Sequence, residues 1–219
     1  ELERKLRGLG FENFIHTLDS VPLELNPNLR VLICTETEAA DGPHGDSLIA
    51  VSDGTATVIN QNDCRLSSFD AISAFGPYDA HFLQYSGAIW YPWVYEGSEE
   101  ERRALGVAKR EAQLARAVRY VREIGAAHVV PSAGPPCFLD DDLFHLNDVD
   151  DDPTSTFPDQ RVFLDRLMSE GIDGGTFVVP GTAVEVGNGA TTVTQPASDD
   201  EVRRPFDDKK SYLAEYAAD

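Results

Sequence analysis

Two alternating apolar runs flank the dipeptide Asp53-Gly54 in the segment SLIAVSDGTATVIN, residues 47–60. Alternation of apolar and polar residues indicates half-buried β-strands, and Asp-Gly between two such runs is typical of a two-residue hairpin turn. The pattern therefore predicts an antiparallel strand pair. Because turn length sets strand register, it also predicts which residues oppose one another.

Extended outward from a two-residue turn, this pairing brings polar residues together at the open end of the hairpin. His44 opposes Asp63 and Asp46 opposes Gln61, on the face that also carries Leu48. Opposed residues of an antiparallel pair share a face of the sheet. An imidazole facing a carboxylate at a strand end is suited to metal binding or to acid–base chemistry.

A purely structural interpretation of the same residues stays open. The stretches HGD and NDC contain standard turn formers, which cap local backbone where strands end. The two interpretations differ in one geometric outcome, namely whether His44 and Asp63 converge at one edge of the sheet.

The rest of the chain interleaves strand-like runs with helices. The apolar run RVLIC, residues 30–34, predicts a buried strand. The clearest helix starts at Ser98, which forms a capping box with Glu101, and Gly125 supplies its stop. FPDQRVFLDRLMSEGI predicts a second helix, and GTFVVPGTAVEVG a pair of short strands. Interleaved helices and strands that include a hairpin predict an α/β fold with a mixed sheet.

Charge and cysteine content exclude several functional classes. The 219 residues carry a formal net charge of −20, which repels phosphate backbones and disfavours nucleic-acid binding. No apolar run is long enough to span a membrane. Three cysteines without CxxC spacing fit a reduced, cytoplasmic setting better than a disulfide framework.

Two further segments contain candidate site residues. His145 lies in CFLDDDLFHLNDVDDD, among seven aspartates that offer oxygen ligands to a hard cation. Because the segment lacks the spacing of an EF-hand, a solvated acidic loop is the better interpretation. The segment SGAIWYPWVY contains Trp90, Tyr91 and Trp93, an aromatic surface that suits a substrate-pocket wall or a packed lid equally well. His81, within a strand-like run, is typical of a core or edge histidine.

The chain contains an ordered series of segments: NQNDCR after the hairpin, GPYDAHFLQYSGAIWYP, a long charged helix, HVVPSAGPPCF, NDVDDDP, VVPGTAVEVG and DDKKSYLAEY. This series resembles the metallo-β-lactamase fold family. The similarity is to the branch of CMP-N-acetylneuraminate hydroxylase and its bacterial relatives. The ordered series carries the resemblance, which spans the chain from about Gly8 onward. It implies an αβ/βα sandwich with mixed sheets and a divalent transition metal, zinc or iron, at one edge.

The resemblance also implies roles for particular residues. The family's third metal histidine falls near His44, and its bridging aspartate falls on Asp63. The first metal motif of the family, H-x-H-x-D-H, is absent and is expected upstream of Glu1, so the domain is expected to be incomplete at its N-terminus. Where hydrolases of the fold place a final metal histidine, this chain has Ser132 within VVPSAG, as the hydroxylase branch does. A standard dizinc site is therefore in doubt.

Three hypotheses about function follow. The first is a metal-dependent hydrolase acting on a small polar substrate through metal-activated water, with Asp46 or His145 as general base or supporting residue. The second is an iron-dependent oxygenase that needs a Rieske-type electron donor, and no Cys/His pairs with Rieske spacing occur here. The third is a non-catalytic module that keeps the fold. Hydrolysis ranks first, only narrowly, since it is the commonest chemistry of the fold.

The domain prediction has two parts. Residues 1–195 are assigned to the C-terminal portion of a metallo-β-lactamase-like domain, and residues 196–219 to an acidic extension that continues into further sequence. The expected partners are a small-molecule substrate and an electron-donor protein, without nucleic acid or membrane.

Overall fold

A computed structural model describes residues 1–36, 45–87, 89–132, 134, 137–147, 151–187 and 190–218. Its helices are α1 (Leu2–Gly8), α2 (Asp70–Phe75), α3 (Glu99–Ile124), α4 (Gln160–Ser169), α5 (Asp199–Asp207) and α6 (Lys209–Ala218). Its strands are β1 (Leu23–Asn26), β2 (Leu29–Thr35), β3 (Ser47–Ser52), β4 (Thr57–Asn62), β5 (Ala80–Gln84), β6 (His128–Ser132), β7 (Ala183–Gly187) and β8 (Ala190–Thr194).

Six strands form one mixed sheet in the order β1-β2-β3-β4-β5-β6. The pairs β1–β2, β2–β3 and β3–β4 are antiparallel, whereas the pairs β4–β5 and β5–β6 are parallel. Strands β7 and β8 form a separate antiparallel pair. The predicted α/β class with a mixed sheet is confirmed.

The hairpin exists, but its predicted register is wrong by two residues. Ser52 pairs with Thr57 and Ala50 with Ile59, so the connection is a four-residue loop. The Asp53 carboxylate accepts hydrogen bonds from the backbone N–H groups of Thr55 and Ala56, both at 2.8 Å, and this side-chain capping stabilises the longer loop. A slip of two residues preserves the side-chain alternation, so the predicted faces remain correct.

Helices α2, α3 and α4 cover one face of the sheet. Leu32, Ala50 and Ile59 pack with α2 on this side, and Leu83 and Val129 pack with α3 and α4. The predicted start and stop of α3 are confirmed, since Ser98 and Glu101 form the capping box and Gly125 adopts a left-handed conformation with φ of 63°.

The segment GTFVVPGTAVEVG supplies one strand rather than the predicted pair. Its second half is β7, whose partner β8 follows outside the segment. Its first half runs beside β6 through single hydrogen bonds, such as Thr176 N–H to the Val129 carbonyl at 2.8 Å. Pro180 has no N–H to donate, and Gly181 has φ of 92°, which together prevent a continuous strand here.

Residues after Gln195 form α5 and α6, which pack against α4 and the segment beside β6. Val202 and Leu213 are buried, and the Phe206 ring lies 5.0 Å from the ring of Phe177. Lys209 Nζ lies 3.1 Å from an oxygen of Asp159, the residue that caps the N-terminus of α4. In the described part of the chain, no helix has both the length and the apolar character needed to cross a membrane.

Candidate functional site

The strand directions bring five segments to one edge of the sheet. Parallel strands β4, β5 and β6 end there, next to Asp63, Ser86 and Ser132 respectively. Strand β3 is antiparallel to β4 and starts at the same edge after Asp46, and β2 ends there before Glu36. We call this the carboxyl edge.

At the carboxyl edge Asp63 lies close enough to Asp46 to affect its protonation. Continued outward, the observed register places Asp46 opposite Asp63 rather than opposite Gln61. The Asp63 carboxylate raises the pKa of Asp46 above its ordinary value, with smaller contributions from desolvation and from Glu36, while Arg65 lowers it. The edge therefore gathers negative charge.

Glu36 fixes the backbone beside these carboxylates. Its Oε2 accepts a hydrogen bond from the Asp46 N–H at 3.0 Å, and its own N–H donates to the Asp46 carbonyl at 2.8 Å. Cys64 Sγ contacts the same carbonyl at 3.8 Å. The backbone of Asp46 is thus held by Glu36 and Cys64, while the residue itself stays exposed.

The two carboxylates at the carboxyl edge do not by themselves make a metal site. No group of three or more His, Cys, Asp or Glu side chains suited to hold a metal occurs among them. His44, the predicted imidazole ligand, lies outside the described residues. The carboxylates of Asp46 and Asp63 fit a divalent cation by their charge and oxygen donors, but such an ion needs at least one ligand more.

A buried hydrogen-bonded chain lies directly behind Asp63. His81 is fully buried, and its Nε2 lies 2.9 Å from Gln61 Oε1. Gln61 Nε2 in turn donates to the Cys64 carbonyl at 2.8 Å. Burial lowers the pKa of His81 to about 3, so the imidazole is neutral and donates its Nε2–H to Gln61. This chain holds the turn that carries Asp63.

Sequence reasoning described His81 as a core or edge histidine and missed its link to Gln61. The available signal was a glutamine at an inward-facing position of a strand, where a polar side chain requires a buried partner. The other ring nitrogen, Nδ1, has no hydrogen-bond partner among the described residues.

Burial makes the thiols of Cys34 and Cys64 poorly suited to act as nucleophiles. Burial raises the pKa of Cys34, and it raises the pKa of Cys64 to about 12. We expect a thiol reagent at pH 8 to modify one cysteine of the native chain, the exposed Cys137, and all three only after denaturation. An aromatic disulfide reagent that releases one coloured thiolate for each cysteine it modifies measures this directly. Rapid modification of more than one cysteine per native chain would contradict the expectation.

The aromatic segment that follows β5 packs on the loop that follows β6. The Trp90 ring lies 5.0 Å from Phe138 and 6.5 Å from Phe157, and Trp93 joins the same cluster. Tyr91 stacks edge-on with Tyr95 at 5.2 Å. Trp90 and Tyr91 each remain 36% exposed, so their rings pack on one side and face solvent on the other.

Gly106 of α3 lies where this aromatic segment and the loop meet. A Cβ at this position would lie 2.4 Å from the Thr154 carbonyl oxygen and 3.1 Å from the Trp93 ring. We expect Gly106→Ala to destabilise the protein by about 1–3 kcal/mol, although alanine is the better helix former. Urea unfolding measures the effect. Gly8→Ala is the matched control, because Gly8 has nothing within 4 Å of the added carbon, and an equal response would refute the packing argument.

His145 lies apart from the two carboxylates in the described contacts. It is exposed in a 3₁₀ turn, Phe144–Leu146, and lines a cleft of about 660 Å³ with Trp93, Arg102 and Arg103. The described lining of that cleft includes neither Asp46 nor Asp63. The structure therefore does not join His145 to the predicted metal residues.

Ser132 belongs to a set of buried polar atoms without partners in the described structure. Its Oγ, at the end of β6, makes no hydrogen bond, and the same holds for Ser86 Oγ, Gln113 Oε1 and Thr156 Oγ1. Leaving such a group unpaired costs about 1–3 kcal/mol, so each calls for water or a ligand. Sequence reasoning found Ser132 but not Ser86, which follows a parallel strand at the same edge.

Several curated proteins match nearly the whole chain. Proteins provisionally named Rieske 2Fe-2S iron–sulfur proteins, from two Mycobacterium tuberculosis strains, are 45% identical over 223 residues, covering 99% of this chain. A protein of the same provisional name from Mycolicibacterium smegmatis is 44% identical over 222 residues. The chain spans 43% of the length of these relatives. No protein-family model matches the chain.

Two solved structures are similar in fold at low sequence identity. Igni18, a metallo hydrolase from the archaeon Ignicoccus hospitalis, aligns over 90% of this chain and 66% of its own, with a TM-score of 0.52 and 15% identity. A mutant of the CmlA β-hydroxylase from Streptomyces venezuelae aligns over 89% of this chain and 36% of its own, with a TM-score of 0.51 and 14% identity. Together with the mixed sheet and the carboxyl edge described above, these likenesses show that the chain has the metallo-β-lactamase fold.

Proposed function

We propose that this chain is the metal-binding part of an oxygen-dependent hydroxylase that receives electrons from a Rieske-type iron–sulfur cluster. The observation that carries this proposal is the alignment of 99% of the chain, at 45% identity, with proteins that have a Rieske name and are more than twice as long. The fold shared with the CmlA β-hydroxylase supports it. Hydroxylation thus replaces hydrolysis as the preferred chemistry.

The cluster itself would be bound outside this chain. A Rieske centre is held by two cysteine thiolates and two histidines. Cys34 and Cys64 are buried among core side chains with raised pKa values, which opposes thiolate formation, and Cys137 alone cannot supply the pair. The additional length of the relatives, or a separate electron-donor protein, is therefore the proposed location of the cluster.

Asp63, Asp46 and His44 are the proposed ligands of the catalytic metal, which we take to be iron. Bound iron would supply oxygen activation. The neutral His81 and Gln61 position the Asp63 turn by hydrogen bonding, and the carboxylates contribute the negative charge that a cation needs. This arrangement accounts for the accumulation of acidic groups at the carboxyl edge.

Substrate would lie beside the same edge. The hydroxyls of Ser132 and Ser86 are available hydrogen-bonding groups, and the exposed sides of Trp90 and Tyr91 offer apolar surface. Trp93, which packs against the buried cluster of Phe138, Leu146 and Phe157, would support this wall. A small polar molecule fits this mixture of hydroxyl and aromatic groups.

Metal and oxygen measurements on the full-length protein test the proposal. We expect iron in excess of the cluster iron, the electron paramagnetic resonance signal of a reduced Rieske centre, and oxygen uptake that requires a reductant. Iron is quantified together with acid-labile sulfide, so cluster iron can be subtracted. A protein with neither excess iron nor a Rieske signal would overturn the proposal.

Metal-dependent hydrolysis is the second candidate, supported by the fold shared with the metallo hydrolase Igni18. Zinc would then replace iron, and Asp46, beside Asp63, would act as general base on a metal-activated water. The exposed His145 is the alternative base. Turnover of an ester or amide substrate without reductant or oxygen would favour this candidate over the hydroxylase.

A further inference from the structure

The cleft that His145 lines gathers positive charge in a strongly acidic chain. It lies between the first turns of α3, the residues that follow β6 and the start of α6. Its volume is about 660 Å³, which is in the range of small-molecule pockets. Four lining side chains that carry or can acquire positive charge come from three separate elements: Arg102, Arg103, His145 and Lys210.

Two of these cations have no partner in the described structure. All 18 lysine and arginine residues of the chain lie in its described part. Among them, only Arg102 and Lys210 make no side-chain hydrogen bond, ion pair or ring contact there. The chain has 38 acidic residues, yet its two unpaired cations line one cleft. Arg102 is also half-buried, so it loses hydration without gaining an anion.

The acids in the lining of the cleft do not neutralise these two cations. Asp152 accepts a hydrogen bond from the Thr154 N–H at 2.8 Å, and its other carboxylate oxygen lies 3.7 Å from Arg103 Nη2. The hydrogen bond from Thr154 holds the pKa of Asp152 below its ordinary value, so this carboxylate stays ionised beside Arg103. Glu99 lies in the first turn of α3, where the helix dipole stabilises its charge. Arg102 and Lys210 therefore remain available to an anion.

Much of the remaining lining is aromatic. Phe157 is almost completely buried, whereas Trp93 and Phe144 are half-buried, and all three side chains line the cleft. Such rings offer a surface on which a flat apolar group can lie. The cleft thus combines unpaired positive charge with an aromatic wall.

We propose that this cleft binds a small organic anion. Arg102 and Lys210 would hold its phosphate or carboxylate group, since an arginine fork and a lysine ammonium both bind such oxygens by charge-assisted hydrogen bonds. The flat apolar part of the anion would lie against the aromatic side chains. The described lining contains neither Asp46 nor Asp63, so this binding site is separate from the two carboxylates of the carboxyl edge and independent of the metal chemistry proposed above.

Calorimetric titration of the full-length protein with phenyl phosphate tests the proposal. We expect Arg102→Gln and Lys210→Gln each to raise the Kd about 10-fold, because each removes a charge-assisted hydrogen bond. Arg4→Gln removes the same charge from an exposed residue of α1 and should keep the wild-type Kd. Inorganic phosphate should bind about 10-fold more weakly than phenyl phosphate, because it lacks the apolar group.

The other outcomes overturn the proposal. Absence of binding to the wild type does so, and so does an equal loss in Arg4→Gln and Arg102→Gln, which would indicate long-range attraction instead of a site. Equal Kd values for phosphate and phenyl phosphate would contradict the role of the aromatic wall. Thermal unfolding checks that each variant is folded, and the two variants lie on different helices, so one suffices if the other does not fold.

Binding to the catalytic metal is distinguished by a further variant. Asp63→Asn should bind phenyl phosphate with the wild-type Kd, and loss of binding in this variant would place the anion on the metal and overturn the proposal. Iron content is measured on every sample and should be the same in Arg102→Gln and Lys210→Gln as in the wild type. Failure here is therefore distinguishable from failure of the proposed hydroxylase function.

Discussion

Replacement of Asp63 by asparagine is expected to remove the catalytic metal and nearly all activity while leaving the fold intact. Asparagine keeps the size of the side chain but loses the charge that binds a cation. Even supporting partners of metal ligands contribute about 10- to 100-fold to affinity or activity, so loss of a direct ligand should exceed that range. Metal content and oxygen uptake of the full-length variant measure the effect.

The same substitution should not reduce the thermal stability of the metal-free protein. Asp63 raises the pKa of Asp46, which shows that the two carboxylates repel each other, and a neutral asparagine side chain would remove this repulsion. Asp165→Asn, which changes an exposed carboxylate on α4, is the matched control and should retain metal and activity. Full metal content in the Asp63→Asn variant would disprove the assignment.

Acidification is expected to destabilise the protein through His81. The folded protein holds this imidazole neutral because burial lowers its pKa to about 3, whereas the unfolded chain protonates near pH 6.5. Between these two values the unfolded state binds the extra proton. The contribution of His81 to the free energy of unfolding is therefore fully present above pH 6.5. Below that pH it is lost at about 1.4 kcal/mol per pH unit, and the total loss is about 4–5 kcal/mol near pH 3.

Urea unfolding of the wild type and of His81→Gln, compared between pH 7.5 and 5, isolates this contribution. Glutamine can still donate a hydrogen bond to Gln61 but does not titrate. The loss in free energy of unfolding between pH 7.5 and 5 should therefore be about 2 kcal/mol smaller in the variant than in the wild type. His16→Gln, at an exposed histidine, is the control and should behave as the wild type. Equal pH dependence in the wild type and His81→Gln would show that His81 becomes charged in the folded protein.

Local signals in the sequence predicted the elements of this fold well. The capping box at Ser98 and the left-handed stop at Gly125 depend only on nearby residues, and both ends of α3 were located correctly. The hairpin was found from its alternation, but its loop length depends on hydrogen bonds that the Asp53 carboxylate makes only once the loop has closed. Because the slip was even, the inward-facing residues were still correct.

The candidate site depends on pairings that spacing does not encode. Gln61 and His81 are twenty residues apart and meet because β4 and β5 pair in parallel. Likewise, Asp46 comes opposite Asp63 when the observed register, which is paired as far as Ile49 and Asn60, is continued outward, whereas the predicted register placed His44 there. The convergence of His44 with Asp63 stays a prediction, since His44 lies outside the described residues.

The parallel arrangement of β4, β5 and β6 has a consequence for how such a protein diversifies. Each of these strands is followed by a loop at the carboxyl edge, and the loops after β5 and β6 carry the aromatic and hydroxyl groups. Such connections tolerate changes of length and composition that a packed sheet does not. A lineage with this architecture can therefore acquire new substrates by exchanging loops, while the strands that carry them stay unchanged.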